Sequence, residues 1–66
     1  MKITINGKEA VLTESCTVET LLKEKGISPA MVVAEHNGRI LSREDFADAM
    51  LSEGDILEIL RFVGGG

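Results

Sequence analysis

Ile56-Leu57-Glu58-Ile59-Leu60-Arg61-Phe62 is the stretch whose reading decides the fold. Its apolar residues fall on both sides of a two-residue period, so it reads as a strand with two unlike faces. Leu57 and Ile59 form one face, and Ile56, Leu60 and Phe62 form the other, with Glu58 among them. The polar turn Ser52-Glu53-Gly54-Asp55 precedes it and Val63-Gly64-Gly65-Gly66 follows, so no adjacent segment offers it a hairpin partner. It must find its neighbours among strands far away in the chain.

Those neighbours are legible upstream. Ile3 and Ile5 alternate with Lys2 and Thr4, and Asn6-Gly7 is the preferred two-residue turn of a hairpin because both positions tolerate positive φ. Met1 to Leu12 is therefore a hairpin, with Ala10 and Leu12 facing inward on the return strand and Val11 facing away. Met31-Val32-Val33-Ala34-Glu35-His36 is a third strand, Asn37-Gly38 repeats the turn, and Arg39-Ile40-Leu41 returns. Between the hairpins, Thr17 is a helix N-cap, Glu19 lies in the first turn, and Val18, Leu21 and Leu22 make an apolar face. Lys23 and Lys25 suit the last turn, Gly26 suits C′, Ile27 closes over the end and Pro29 stops resumption, so the helix spans roughly 18–25. Phe46, Ala47 and Met50 suggest a short helical turn that plugs one end of the core.

The order β-β-α-β-β-turn-β, with one helix to cover a mostly antiparallel sheet, is a two-layer α+β domain. Its final strand is expected at the sheet centre, parallel to the first, which is the β-grasp, ubiquitin-like arrangement of about five strands. One helix cannot cover both sheet faces, so Ile56, Leu60 and Phe62 are expected on an open face suited to docking a partner. The domain is expected to end at Phe62, with residues 63–66 as a flexible tail. Glycines 64–66 cannot pack a core and are costly to order. A terminal glycine carboxylate, though, enters a narrow channel without a Cβ in the way. The carboxylate of Gly66 is thus the expected reactive group.

Composition narrows the classes. Sixty-six residues make one domain with a thin core. The net charge is −4 and no Lys/Arg cluster appears, which argues against nucleic acid. No run is long enough to span a bilayer, and the single cysteine, Cys16, fits a cytoplasmic location. Cys16 precedes the N-cap, where a thiolate can be stabilised, but a staple packed on Leu21 is favoured. His36 is read as a strand surface residue, Glu44-Asp45 and Glu53/Asp55 as solvated acidic surface, and Met1, Met31 and Met50 as core or rim packing. No metal site and no bound cofactor are expected.

The Asn6-Gly7 hairpin, the Thr17-capped helix ending at Gly26, the Asn37-Gly38 turn, Gly54-Asp55 and the ending Phe62-Val63-Gly64-Gly65-Gly66 together resemble the ThiS sulfur carriers of thiamine biosynthesis, over the whole chain. Leu41-Ser42-Arg43 departs from the Val-Pro-Arg-like segment of many members. The resemblance implies a protein cosubstrate, not an enzyme. A ThiF-like, E1-type adenylyltransferase would spend ATP to make an acyl-adenylate at Gly66. A cysteine desulfurase or persulfide would supply sulfur, giving a thiocarboxylate. A ThiG-like thiazole synthase would take that sulfur into the thiazole ring. Gly65, Gly64, Val63, Phe62, Leu60 and Ile56 would meet these partners. This chain has no phosphate-binding glycine loop opening a helix, so the ATP chemistry belongs to the partner. The small subunit of molybdopterin synthase and a ubiquitin-like modifier are the alternatives, the former tending to longer chains.

Overall fold

Two Asn-Gly turns set the frame. In this computed structural model, which describes residues 1–61, β1 (Lys2–Ile5) and β2 (Lys8–Val11) pair antiparallel. The turn between them has Asn6 at φ 50° and Gly7 at φ 81°. Both angles lie in the left-handed region that a type I′ turn requires. An ideal Cβ at Gly7 would meet nothing within 4 Å, so backbone angle and not space selects glycine there. The second hairpin, β3 (Val32–His36) and β4 (Arg39–Leu41), repeats the device at Asn37 and Gly38.

The final strand, β5 (Ile56–Arg61), lies between the hairpins, and the sheet order is β2-β1-β5-β3-β4. It runs parallel to β1, with Thr4 beside Ile56 and Ile5 beside Leu57, and antiparallel to β3 from Val32/Arg61 to His36/Leu57. The central, parallel placement expected from the sequence is the one observed.

Both turn asparagines also hold this strand. The Ile59 N–H donates to Asn6 Oδ1 at 2.7 Å, and Asn6 Nδ2 donates to the Ile59 carbonyl at 3.2 Å. The amide side chain thus continues the β1–β5 ladder after the β1 backbone has turned away. At the other end, the Ile56 N–H donates to Asn37 Oδ1 at 2.8 Å, and the Asn37 N–H donates back to the Ile56 carbonyl at 2.8 Å.

The helix α1 (Val18–Glu24) packs on one sheet face. Thr17 Oγ1 accepts the Thr20 N–H at 3.2 Å as the N-cap. The C-terminus is a Schellman motif: Ile27 N–H donates to the Leu22 carbonyl at 2.8 Å, Gly26 N–H donates to the Lys23 carbonyl at 3.0 Å, and Gly26 has φ 73°. Lys25 is the cap itself, one residue short of the expected helix end. Val18, Leu21 and Leu22 are buried against Ile3, Val32, Ala34, Leu41 and Leu57 from the sheet, with Phe46 and Leu51 closing the core.

Two expectations are corrected. Met31 is half-exposed in a 3₁₀ turn (Pro29–Met31) and not in β3, because Pro29 presets φ and Ser28 Oγ accepts the Ala30 N–H. Met50 is also half-exposed, although Phe46 plugs the core from a 3₁₀ turn (Arg43–Ala47) as expected. Beyond that turn the chain is extended, and Thr17 and Met50 form an isolated antiparallel bridge. A two-residue period then sends Ala49 and Leu51 inward and Met50 outward, and Ala47 is exposed as well. At the Leu41-Ser42-Arg43 segment, Asp45 Oδ2 accepts the Ser42 N–H at 3.1 Å. That bond starts the second 3₁₀ turn.

Replacing Asn6 by glycine keeps the turn angles and deletes only the clasp. Asn6→Gly is expected to lower unfolding free energy in urea by roughly 1 kcal/mol and to speed hydrogen exchange at the Ile59 amide. Unchanged exchange at Ile59 would show that the side chain does not hold β5.

Candidate docking face at the root of the tail

Leu57 is fully buried under α1, and Ile59 is partly buried beside it. The opposite side of β5 carries Ile56, Glu58 and Leu60, all exposed. Register extends this face across the sheet, since directly paired residues point the same way. Val33 lies opposite Leu60, Glu35 opposite Glu58, and Ile40 of β4 opposite Glu35. Leu60 is 71% exposed, Ile40 68% and Ile56 51%. Val33, Glu35, Ile40, Glu58 and Leu60 together line a shallow recess of about 240 Å³. This is the open face expected from the alternation of residues 56–60, with Val33, Glu35 and Ile40 added by register. The β3–β5 register was the missing information: the Asn37-Gly38 turn sets Ile40 opposite Glu35, but nothing local in the sequence states that Glu35 lies opposite Glu58 and Val33 opposite Leu60.

Gly66, Gly65, Gly64, Val63 and Phe62 lie outside the described residues. The structure does describe what precedes them. At the end of β5, Arg61 pairs with Val32 of β3, while β1 no longer offers its backbone beyond Leu57, apart from the Asn6 clasp. On the helix side of this end, Ile5, Ile27 and Ile59 line a second recess edged by Asn6, Lys25 and Arg61.

The entry to β5 is held by a carboxylate that the sequence reading assigned to solvated surface. Asp55 is only 12% exposed at its side chain and accepts three bonds. His36 Nε2 lies 2.7 Å from Oδ2, the Ser52 N–H donates to Oδ2 at 2.8 Å, and Asn37 Nδ2 donates to Oδ1 at 3.0 Å. An ionised carboxylate only accepts, so the proton on Nε2 faces it. His36 is therefore a partly buried partner of Asp55 and not a free surface residue. The separation of 19 positions gave no local spacing from which to read the pair. Burial pushes the Asp55 carboxyl up, but the bonds from His36, Asn37 and Ser52 outweigh it and hold the group below its ordinary value. Asp45 is also held low, by the Ser42 N–H first of all.

Cys16 is partly buried against the core, as the packing reading expects. Burial, then the nearby carboxylates of Glu24 and Glu14, push its thiol up. A thiol held protonated is a poor nucleophile, so the surrounding recess of about 440 Å³ has no reactive group of this kind. Among the described residues, no three His, Cys, Asp or Glu side chains gather as metal ligands. No described helix is long and apolar enough to cross a membrane.

Comparison with known proteins agrees with this architecture. The family model described as ThiS family matches residues 2–66. The sulfur carrier protein ThiS of Bacillus subtilis is 32% identical over 63 residues, covering 94% of this chain and 96% of that protein. A thiazole synthase of Paramagnetospirillum magneticum is 42% identical over all 66 residues, and one of Magnetococcus marinus is 36% identical over the same length. This chain spans about a fifth of the length of those two synthases. The crystal structure of a thiamine biosynthesis protein (ThiS) from Geobacter metallireducens superposes with a TM-score of 0.83 at 39% identity, with full coverage of both chains.

The depressed Asp55 carboxyl has a testable sign. Its contribution is fully present above the ordinary value of 3.8 and is lost as pH falls through the lower folded value, since the unfolded chain then binds the extra proton. Asp55→Asn is expected to cost roughly 1–3 kcal/mol at neutral pH. The gap from the parent should close as urea titrations are repeated below pH 3.8. A gap independent of pH would contradict the assignment.

Proposed function

This chain belongs to the ThiS family of sulfur carriers, and we propose that it carries sulfur as a thiocarboxylate on Gly66 for thiazole formation in thiamine biosynthesis. The observation that supports this most is the reach of the family match: it covers both hairpins, the helix, the central strand and the glycine tail through Gly66. The thiazole and thiamine names of the relatives favour this branch over the molybdopterin one.

The chemistry follows from the weakness of a carboxylate as an electrophile. A ThiF-like adenylyltransferase transfers AMP from ATP to the Gly66 carboxylate and releases pyrophosphate. The terminal sulfur of a persulfide, formed on the donor by a cysteine desulfurase, then attacks the acyl carbon and AMP leaves with the bonding pair; a second donor thiol cleaves the resulting acyl disulfide, ending in a donor disulfide and freeing the thiocarboxylate. A ThiG-like thiazole synthase receives the sulfur from the resulting thiocarboxylate. The carrier binds no cofactor of its own, and its contribution is delivery. From Phe62, four further residues extend roughly 13 Å, enough to place the terminal carbonyl inside a partner's active site while the folded body stays outside. Glycines at the tip keep the chain thin along that path. Ile56, Leu60, Phe62 and Val63 form the contact at its root.

Co-expression with the adenylyltransferase and a sulfur source should add ~16 Da, one oxygen exchanged for sulfur, to the peptide ending in Gly66. Deleting Gly66 should abolish the gain and leave the melting temperature nearly unchanged, because a terminal residue of this kind carries little packing. No mass gain with active partner enzymes, or a gain elsewhere in the chain, would refute the assignment.

A further inference from the structure

We propose that the recess on the helix side of the end of β5 receives a loop of the thiazole synthase in which a carboxylate stands beside an apolar side chain. This rests on the carrier reading and adds a contact at the root of the tail, on the side away from the open sheet face.

The recess exists because the helix is shorter than the strand beneath it. Seven helical residues span roughly 10 Å, whereas the six residues of β5 span roughly 20 Å. α1 ends at Glu24, and the bond from the Ile27 N–H to the Leu22 carbonyl folds the chain over its last turn. Ile5, Ile27 and Ile59 are left half-buried at the tail end of the core, around a volume of about 330 Å³. Asn6, bonded to Ile59 in both directions at 2.7 and 3.2 Å, forms one wall. The recess is thus shaped before a partner arrives, which lowers the ordering cost of filling it.

Two cations stand at its rim. Lys25 caps the helix, and Arg61 is in register with the buried Val32, which places it on the helix-facing side of β5 after Leu57 and Ile59. Neither is among the ion pairs of the described residues, which are Lys2–Glu9, Glu19–Lys23 and His36–Asp55. No acidic residue among those described lines the recess. The chain carries a net charge of −4, so this rim opposes the sign of the whole molecule and selects an anionic partner group. A guanidinium takes a carboxylate through two parallel bonds, and the isoleucines take the apolar side chain next to it.

Position names the partner. A protein that admits residues 62–66 must close around the strand end from which they continue, and Arg61 immediately precedes them. In two proteins named thiazole synthase, a segment similar to all 66 residues of this chain belongs to a much longer chain, so such a domain works there beside the rest of a thiazole synthase. A second copy of this chain is the wrong occupant, because a two-fold dimer on this recess would bring four cations together around one axis.

The test uses the full carrier, its organism's thiazole synthase and adenylyltransferase, and the variants Arg61→Gln, Lys25→Gln, the double variant and Arg61→Lys. Arg61→Gln should keep the parent's melting temperature. The double variant should bind the synthase at least about tenfold more weakly, with a flatter salt dependence. Arg61→Lys keeps the charge but loses the planar fork, so its affinity should fall between those of the parent and Arg61→Gln. Thiocarboxylate formation by the adenylyltransferase should persist in all four variants and reads the carrier function separately. If loading persists but synthase binding and its salt dependence are unchanged in Arg61→Gln and in the double variant, the docking proposal is overturned while the carrier reading stands. If the parent itself gains no thiocarboxylate, the carrier reading falls and this proposal with it. In the free carrier, a changed Ile27 amide resonance on deleting residues 63–66 would put the chain's own tail in the recess. Self-association in sedimentation that the double variant abolishes would put a second copy there. Either result would also overturn the proposal.

Discussion

A parallel strand cannot be placed by a tight turn. β5 enters the sheet beside β1 although Thr4 and Ile56 are separated by most of the chain, and it must pair with β3 on its other side at the same time. The sheet therefore exists as one unit only when the last strand is in place. Without it, the two hairpins are separate two-stranded ribbons, which are marginal in water. The asparagines of both turns meet this requirement with their side chains. Asn6 bonds Ile59 near the strand's end, and Asn37 bonds Ile56 at its start. Asp55, fixed by His36, Asn37 and Ser52, aims the chain into the slot.

In the proposed carrier role, this arrangement ties folding to delivery. The strand that completes the core is also the strand from which the glycine tail continues. Leu57, fully buried, anchors it on one face, while Ile56, Glu58 and Leu60 on the other stay exposed. A single helix makes this division unavoidable: α1 covers one side of five strands and nothing in the described chain covers the other. In the proposed carrier role, a rigid root would give the tail a fixed origin from which its tip reaches a partner.

Much of this was legible in the residues because local rules and global fold agree. The Asn-Gly turns, the Thr17 cap and the Gly26 stop each require one local geometry, and all three adopt it. The alternation at residues 56–60 gave the two faces of β5 correctly. What escaped were contacts between distant positions. The His36–Asp55 pair needs the β3–β4 turn to meet the β5 entry, and the Glu35–Glu58 pair needs the β3–β5 register. Met31 and Met50 were misjudged because hydrophobicity says how much a side chain gains from burial, not whether a 3₁₀ turn or an extended bridge points it inward. Phe62 and the tail lie outside the described residues, so the sequence and the family match carry that part of the account.

Native-state hydrogen exchange measures the central claim most directly. If β5 closes the whole sheet, the amides of Leu57 and Leu60 should be among the slowest in the protein. They should open only with the free energy of global unfolding, together with the amides of β1 and β3. Rapid exchange along β5 while β1, β3 and α1 stay protected would mean that the domain holds together without its last strand, and the account would be wrong.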